Sequence, residues 1–273
     1  MVLKSILKRS LIVVSVLIQL SCAGETRAAN QTGPDNYGKA IESEDIFFDS
    51  VCNTPYSRGS LFFYGFSAHY TDIEKENDAI LESAFESVIL FHNIDVSYFG
   101  IYLESGAAFQ GISRKLFIET EKLNEENIKE KLKLRYNFRN RNISGALFEI
   151  EQSDLINIDS DNFYDFTGIE ISVREKKPAW INILPENKDY NFSVGISERY
   201  SRISQSIRNA DLNAIEEMIK QKSVSVVSKT DQGYYGRNGT EHSAAYIKGF
   251  YIIRRWWDKD MRNYYSLGVS SAQ

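Results

Sequence analysis

The stretch GFSAHYTDIEKENDAILESAFESVILFHNIDVSY at residues 65–98 is matched, without a gap and 130 residues further on, by GISERYSRISQSIRNADLNAIEEMIKQKSVSVVS at residues 195–228. The identical pairs are Gly65/Gly195, Ser67/Ser197, Tyr70/Tyr200, Ile73/Ile203, Ala84/Ala214, Glu86/Glu216, Ile89/Ile219 and Val96/Val226, with Thr71/Ser201 and Ile94/Val224 similar. Most of these are structural residue types: a turn glycine, a capping hydroxyl, small and branched residues of an apolar helix face, and a β-branched residue of a following strand. Self-similarity of this length reads as two copies of one small domain. It argues against a single large enzyme core, because no matched pair supplies an acid and a base. The one charged identity, Glu86/Glu216, sits among polar neighbours on the helix.

Working outward, the first copy begins near Ile46. Residues 61–64, LFFY, read as a strand ending at Gly65. Thr71-Asp-Ile-Glu74 has the form of a capping box, with Thr71 as the cap and Glu74 reaching back. The helix it opens runs to about His92 and carries Ile73, Ile80, Ala84, Val88 and Phe91 on one face, flanked by Leu81, Phe85 and Ile89. Residues 94–103 alternate like a half-buried strand. Further strands are expected near 113–119, 132–138 and 145–151, with a hairpin turn at 139–142 and a short charged helix within 123–131.

In the second copy, 191–194 form the first strand. Ser201 caps a helix to about Gln221 with Ile203, Ile207, Ala210, Ala214 and Met218 on one face. Residues 224–227 are the next strand, 233–239 a loop, and 245–257 pairs with 263–270 as a hairpin. The expected fold class is α+β: two tandem repeats, each a long helix packed on an antiparallel sheet in the order strand, helix, strand, hairpin. The repeats span 46–152 and 178–273, joined by a connector at 153–177 whose residues 167–174 form a strand belonging to either copy.

The N-terminus carries an export pattern. Lys4, Lys8 and Arg9 precede an apolar run at 11–20 that is too short to span a bilayer, so residues 1–22 read as a processed signal. Cys22 follows directly, behind Leu20 and Ser21, in the place of the lipid-bearing cysteine of a bacterial lipoprotein; Gln19 stands where an aliphatic residue is usual. The alternative is ordinary cleavage after Ala23. Either cut leaves Cys52 as the only mature cysteine with a free thiol, since Cys22 is either removed or lipidated, which excludes an intramolecular disulfide framework. Removing the three basic residues shifts the net charge from −5 to −8, with no basic block to track phosphates, so nucleic acid is not an expected partner. The polar segment 23–45 is a tether with a reach of roughly 25–30 Å.

Pro178-Ala-Trp180, then YNFSVGIS at 190–197, the capped helix, VSVVS at 224–228, and a closing Trp256-Trp-Asp258 hairpin with Tyr264-Tyr-Ser-Leu-Gly268 together resemble the Lpp-twenty family of small bacterial outer-membrane lipoproteins. The resemblance is clearest over 178–271. The first copy shares Tyr64-Gly65, the capped helix and Asp95-Val-Ser97. Related domains occur in flagellar outer-ring and basal-disk proteins of the FlgP and FlgT type. The resemblance implies an envelope assembly role without catalysis.

The candidate chemistry is sparse. His69, His92 and His242 show no metal-ligand spacing, and a helix-end histidine more often faces terminal carbonyls. Residues 233–239 lack the phosphate-loop pattern. In Arg254-Arg-Trp-Trp257, alternation puts Arg254 and Trp256 on one face and Arg255 and Trp257 on the other, one tryptophan in the core and one over an edge. No catalytic, metal or cofactor-binding residue is expected, and no cofactor. The one site residue is Cys22, for lipid attachment. The expectation is a non-enzymatic, exported envelope protein held at the outer membrane or in the periplasm, with the membrane, itself or other envelope proteins as partners. The alternative is a ligand-binding module using the cleft between the repeats; a hydrolase is the weakest reading.

Overall fold

A computed structural model of the chain describes residues 54–55, 57, 59–92, 94–105, 108–120, 124–155, 177–222, 231–233 and 236–272. The signal segment, the tether, Cys22, Cys52 and the strands expected at 167–174 and 224–227 lie outside the described residues.

The fold is α+β. In the first half, β1 (Ser60–Ser67) leads into α1 (Ile73–Phe91), a hairpin of β2 (Ile94–Ser105) and β3 (Ala108–Thr120), the short α2 (Glu125–Lys131), and a second hairpin of β4 (Lys133–Arg139) and β5 (Ser144–Glu151). A 3-10 turn at Gln152–Asp154 follows, and a second at Ala179–Ile181 buries Trp180. The second half holds β6 (Tyr190–Glu198), α3 (Ile203–Lys222), a hairpin of β7 (Asp231–Gly233) and β8 (Gly236–Ile247), and a hairpin of β9 (Tyr251–Asp258) and β10 (Asn263–Ser271). Three antiparallel sheets result among the described residues, with strand orders β1-β5-β4, β6-β10-β9 and β3-β2-β8-β7.

Each of the two long helices sits close against a strand because glycine and alanine meet there. A Cβ on Gly65 of β1 would overlap the Ile80 carbonyl of α1, and one on Gly195 of β6 would overlap the Ala210 carbonyl of α3. Ala84 and Ala214, one turn along each helix, are fully buried. The expected apolar faces are the buried ones: Ile80, Ala84, Val88 and Phe91 on α1, and Ile203, Ile207, Ala210, Ala214 and Met218 on α3.

Helix side chains also occupy the open edges of the strands they cover. The Phe66 N–H of β1 donates to Ser83 Oγ at 3.1 Å, and Asn213 Nδ2 donates to the Ile196 carbonyl of β6 at 2.5 Å. An uncovered strand edge is a template for unwanted pairing, and a side-chain plug removes it.

The two halves are joined through main chain and core. β2 pairs with β8 from Ile94 opposite Ile247 to Glu104 opposite Arg237. The Tyr251 hydroxyl of β9 donates to the Phe62 carbonyl of β1 at 2.7 Å and accepts from the Phe62 N–H at 3.1 Å. One apolar cluster packs α1 and β1 against Trp180, Phe192, Tyr251 and Leu267; a second packs Tyr64, Phe66 and Phe138 against the first turns of α3; a third packs the rest of α3 on Ile94, Val96, Tyr98 and Ile247 of the four-stranded sheet.

Four local expectations are corrected. The cap of α1 is Asp72, whose Oδ1 accepts from the N–H groups of Glu74 and Lys75 at 3.0 and 3.4 Å; its carboxylate suits the positive helix end better than the Thr71 hydroxyl. At α3 the first helical bonds go to the Arg202 carbonyl, so Ser201 lies one residue outside the cap position. Residues 233–239 are not a loop but the β7–β8 hairpin. The strand expected over 245–257 is broken after Ile247, where Gly249 takes φ 67°, a left-handed value that glycine adopts without steric cost.

Candidate functional site

Among the described residues, buried charge gathers around Glu76, around Arg255 with Asp211, and at Glu216, whose match Glu86 is half-buried. The first cluster surrounds Glu76, a carboxylate only 3% exposed in the first turns of α1. Its Oε2 accepts from the Tyr70 N–H at 2.8 Å, and its Oε1 accepts from the Ser144 hydroxyl of β5 at 2.6 Å. Arg139, at the end of β4, approaches Oε1 to 3.2 Å. His69 lies beside them, its Nδ1 3.5 Å from Oε2 and 3.1 Å from Ser144 Oγ.

Serine, histidine and glutamate in contact are the residue types of a nucleophilic triad, but the order of bonds is wrong for one. A triad needs the imidazole between the hydroxyl and the carboxylate. Here the Ser144 proton goes directly to Glu76, and His69 Nε2 is engaged by the Asn140 carbonyl at 2.7 Å. That carbonyl can only accept, which places the ring proton on Nε2 and leaves Nδ1 to accept from Arg139 Nε at 3.3 Å. Ser144 is also buried. The cluster ties the start of α1 to the β4–β5 turn. In the second half the residue 130 positions beyond Glu76 is Ser206, and its hydroxyl accepts from the Tyr200 N–H at 2.7 Å, closing the same turn without a charge.

The second cluster lies in the Arg254–Trp257 segment. Both arginines are buried and both tryptophans half-buried, the reverse of what an exposed stacking patch requires. Arg255 makes a two-pronged pair with Asp211 of α3, Nε to Oδ1 at 3.2 Å and Nη2 to Oδ2 at 2.8 Å, and Ser266 Oγ donates to Oδ1 at 2.5 Å. The Arg255 guanidinium also lies over the Tyr64 and Phe66 rings of β1, at 5.8 and 5.5 Å. Alternation holds within Arg254–Trp257, which run in unbroken register with Leu267 to Tyr264; the β9–β10 register shifts just ahead of them, between Leu267 and Gly268, leaving Ile253 as the extra residue. The bulge puts Ile253 and Trp256 into one core, while Trp257 stacks on Tyr264 in another. Both tryptophans pack against a core while half-buried on the outer strand of their sheet. Desolvation holds the Arg254 guanidinium below its ordinary value.

The matched glutamates lie in separate places and do different things. Glu86 accepts from Arg208 Nη2 of α3 at 2.8 Å, a bond between the two long helices; burial pushes its carboxyl up although Arg208 pulls the other way. Glu216 is buried and accepts from Lys220 Nζ at 2.8 Å, with Arg114 of β3 3.7 Å away. Lys220 is also bonded to Glu217 and lies 4.9 Å from the Tyr98 ring; desolvation works against its charge, but the two carboxylates outweigh that and hold it above the ordinary lysine value.

The sequence patterns passed over Glu76 and Asp211, yet a signal was present. Glu76 falls in phase with Ile80 and Ala84, and Asp211 in phase with Ile207 and Ala214. A carboxylate inside an apolar stripe marks a buried pair. Of the histidines, His69 joins the Glu76 cluster. His92 is buried at the C-cap of α1, where its backbone N–H donates to the Val88 and Ile89 carbonyls. His242 lies on β8 beside Phe99. Among the described residues, no three His, Cys, Asp or Glu side chains converge as metal ligands, and no helix is long and apolar enough to cross a membrane. Cys22 lies outside the described residues. No protein-family model, no curated protein and no solved structure matches the chain.

Proposed function

We propose that this chain is a non-enzymatic, exported envelope lipoprotein, anchored through Cys22, built from two copies of one fold akin to that of the Lpp-twenty family, and acting in assembly with itself or with other envelope proteins. The observation that carries the reading is the N-terminal pattern: a basic start, a short apolar run, Cys22 at its end, then a polar spacer ahead of the folded part. Such a spacer holds a folded body off a membrane surface.

Several parallels support the two-copy reading. The strand orders β1-β5-β4 and β6-β10-β9 correspond. Gly65 and Gly195 meet their helices in the same way, Ser83 and Asn213 plug equivalent edges, and Glu76 and Ser206 close equivalent turns. The halves are fastened by β2–β8 pairing and common cores, which favours a rigid assembly unit over a hinged module with a ligand cleft. The buried polar groups pair among themselves, the expected pattern for structural interlocks.

The decisive experiment is on the anchor. Cys22→Ser should abolish incorporation of labelled fatty acid and move the protein from the membrane to the soluble periplasmic fraction. A wild-type mature chain beginning at Gly24 would sink the lipoprotein reading.

A further inference from the structure

The sheets end on edges of different kinds. β1 is covered by Ser83 and Tyr251, β6 by Asn213, and β9 by Thr54, whose N–H and hydroxyl donate to the Ile253 and Ile252 carbonyls. β7 is only three residues long. β4 has one neighbour among the described strands, β5, and its sequence KLRYNFR carries Lys133, Arg135 and Arg139 and no acid, so a second copy of it would be repelled. β3 is different. It is thirteen residues long, its one pairing partner among the described strands is β2, and its central residues read Lys115-Leu-Phe-Ile-Glu119.

That pentapeptide is complementary to itself when run antiparallel. With Phe117 placed opposite Phe117 of another copy, Lys115 faces Glu119, Leu116 faces Ile118, and the same pairs recur on the other side of the axis. Lys115, Phe117 and Glu119 are exposed together on the outer face of the sheet, with Phe117 43% exposed. Leu116 and Ile118 point inward against the core under α3. A lysine on an edge strand ordinarily prevents pairing. Here the register that opposes the two phenylalanines also opposes each lysine to a glutamate, so the guarding charge becomes a selective one. The two Phe117 rings would cover each other at the axis, and Tyr246, 53% exposed on the same face two strands away, extends the apolar surface.

We propose that the outer edge of β3 pairs antiparallel with β3 of a second copy of this chain, about a twofold axis at Phe117, joining two four-stranded sheets into one of eight strands. The proposal rests on the self-association reading above and names the surface through which it occurs. A twofold contact of this kind closes on itself.

The test uses the full-length chain in isolated membranes. Phe117→Cys in a Cys52→Ser background is oxidised with copper phenanthroline, and the Cys52→Ser chain alone is the control. At the axis the two substituted positions lie about 4.5–5.5 Å apart, within disulfide reach. Lys115→Cys in the same background places its thiols about 13 Å apart along the strands and out of reach. The expected result is a disulfide dimer for Phe117→Cys, absent for Lys115→Cys and for the control. Lys115→Glu sets like charges opposite each other on both sides of the axis and should weaken the detergent-solubilised dimer on the order of tenfold; Lys115→Glu combined with Glu119→Lys should restore it. An oligomeric mass with no Phe117→Cys cross-link, with equal cross-linking at both positions, or with no response to charge reversal overturns this contact while leaving self-association standing. A single-chain mass for the wild-type protein overturns both.

Discussion

Replacing Gly195 by alanine should destabilise the protein, and the sign of the effect is the informative part. Gly195 lies mid-strand in β6 and needs no left-handed backbone, so in open space the substitution would stabilise by about 0.4–1 kcal/mol through the unfolded chain. The space is not open. The new methyl group would overlap the Ala210 carbonyl and the Ala214 N–H of α3, which are backbone atoms that no rotamer change can move. Ala210 and Ala214 are both fully buried, so α3 has to lift from the sheet. Overpacking of this kind costs about 1–3 kcal/mol. Set against the entropic gain, a net loss of about 2 kcal/mol is expected where the overlap is with backbone. For a chain of this length that lowers the thermal midpoint by about 4–8 °C. Gly65→Ala, which meets the Ile80 carbonyl in the same way, should behave alike. Because β2 pairs with β8 and the cores are common, both variants should shift one and the same transition. Calorimetry on the chain lacking its signal segment gives the answer. A midpoint equal to or above wild type for either variant would refute the close helix–strand contact. Separate transitions, one moved by each variant, would refute the joined halves.

Three further positions, each with its control, probe the interlocks. Ala214→Phe should cost about 1–3 kcal/mol by overpacking, whereas Glu217→Ala, three residues along the same helix and on its half-exposed side, should stay within about 0.5 kcal/mol; equal melting would mean that the phase of α3 is wrong. Tyr251→Phe removes both bonds to Phe62 and should cost about 1–3 kcal/mol at neutral pH. Burial holds the Tyr251 phenol above its ordinary range, so its contribution is complete below pH about 10 and lost as pH rises further; the gap between wild type and variant in urea unfolding should therefore narrow above that pH, and a constant gap would count against the buried phenol. Asp211→Ala removes the carboxylate paired with the buried Arg255 and should cost about 3–5 kcal/mol, while Asp211→Leu with Arg255→Met should recover most of it; a double variant no better than the single one would show that the pair itself, and not the uncompensated charge, is what matters.

Local elements were legible in the sequence where one periodicity held without interruption. The apolar faces of α1 and α3 and the β4–β5 hairpin follow from spacing alone, since each depends on contacts a few residues apart. What was not legible depends on partners far along the chain. Nothing local to residues 94–105 announces β8 as a neighbour, because a strand's alternation shows which face is buried and not which strand lies beside it. The β9 bulge was hidden for the same reason: the Arg254–Trp257 segment alternates well enough, and the phase change comes from where Gly268 meets Ile252. Thr71 and Asp72 can both cap α1, and where the helix starts decides between them.

On the proposed two-copy reading, the matched positions differ in what they hold in common. Glu86 and Glu216 are identical, yet one bonds the other long helix and the other bonds its own helix and β3. Glu76 and Ser206 are different, yet both accept from the N–H of a matched tyrosine and close the turn ahead of the helix. Ser83 and Asn213 differ as well, one accepting and one donating, and both stop an open edge. Identity at a position therefore overstates similarity where the residue faces the other half, and understates it where the residue only has to satisfy a backbone group. The reason is physical: an edge or turn demands a polar atom at a place and tolerates several side chains that supply one, whereas contacts between halves differ because each half has a different neighbour. The strongest common trace is thus Gly65/Gly195 with Ala84/Ala214, where the constraint is the absence of atoms and only the smallest side chains meet it.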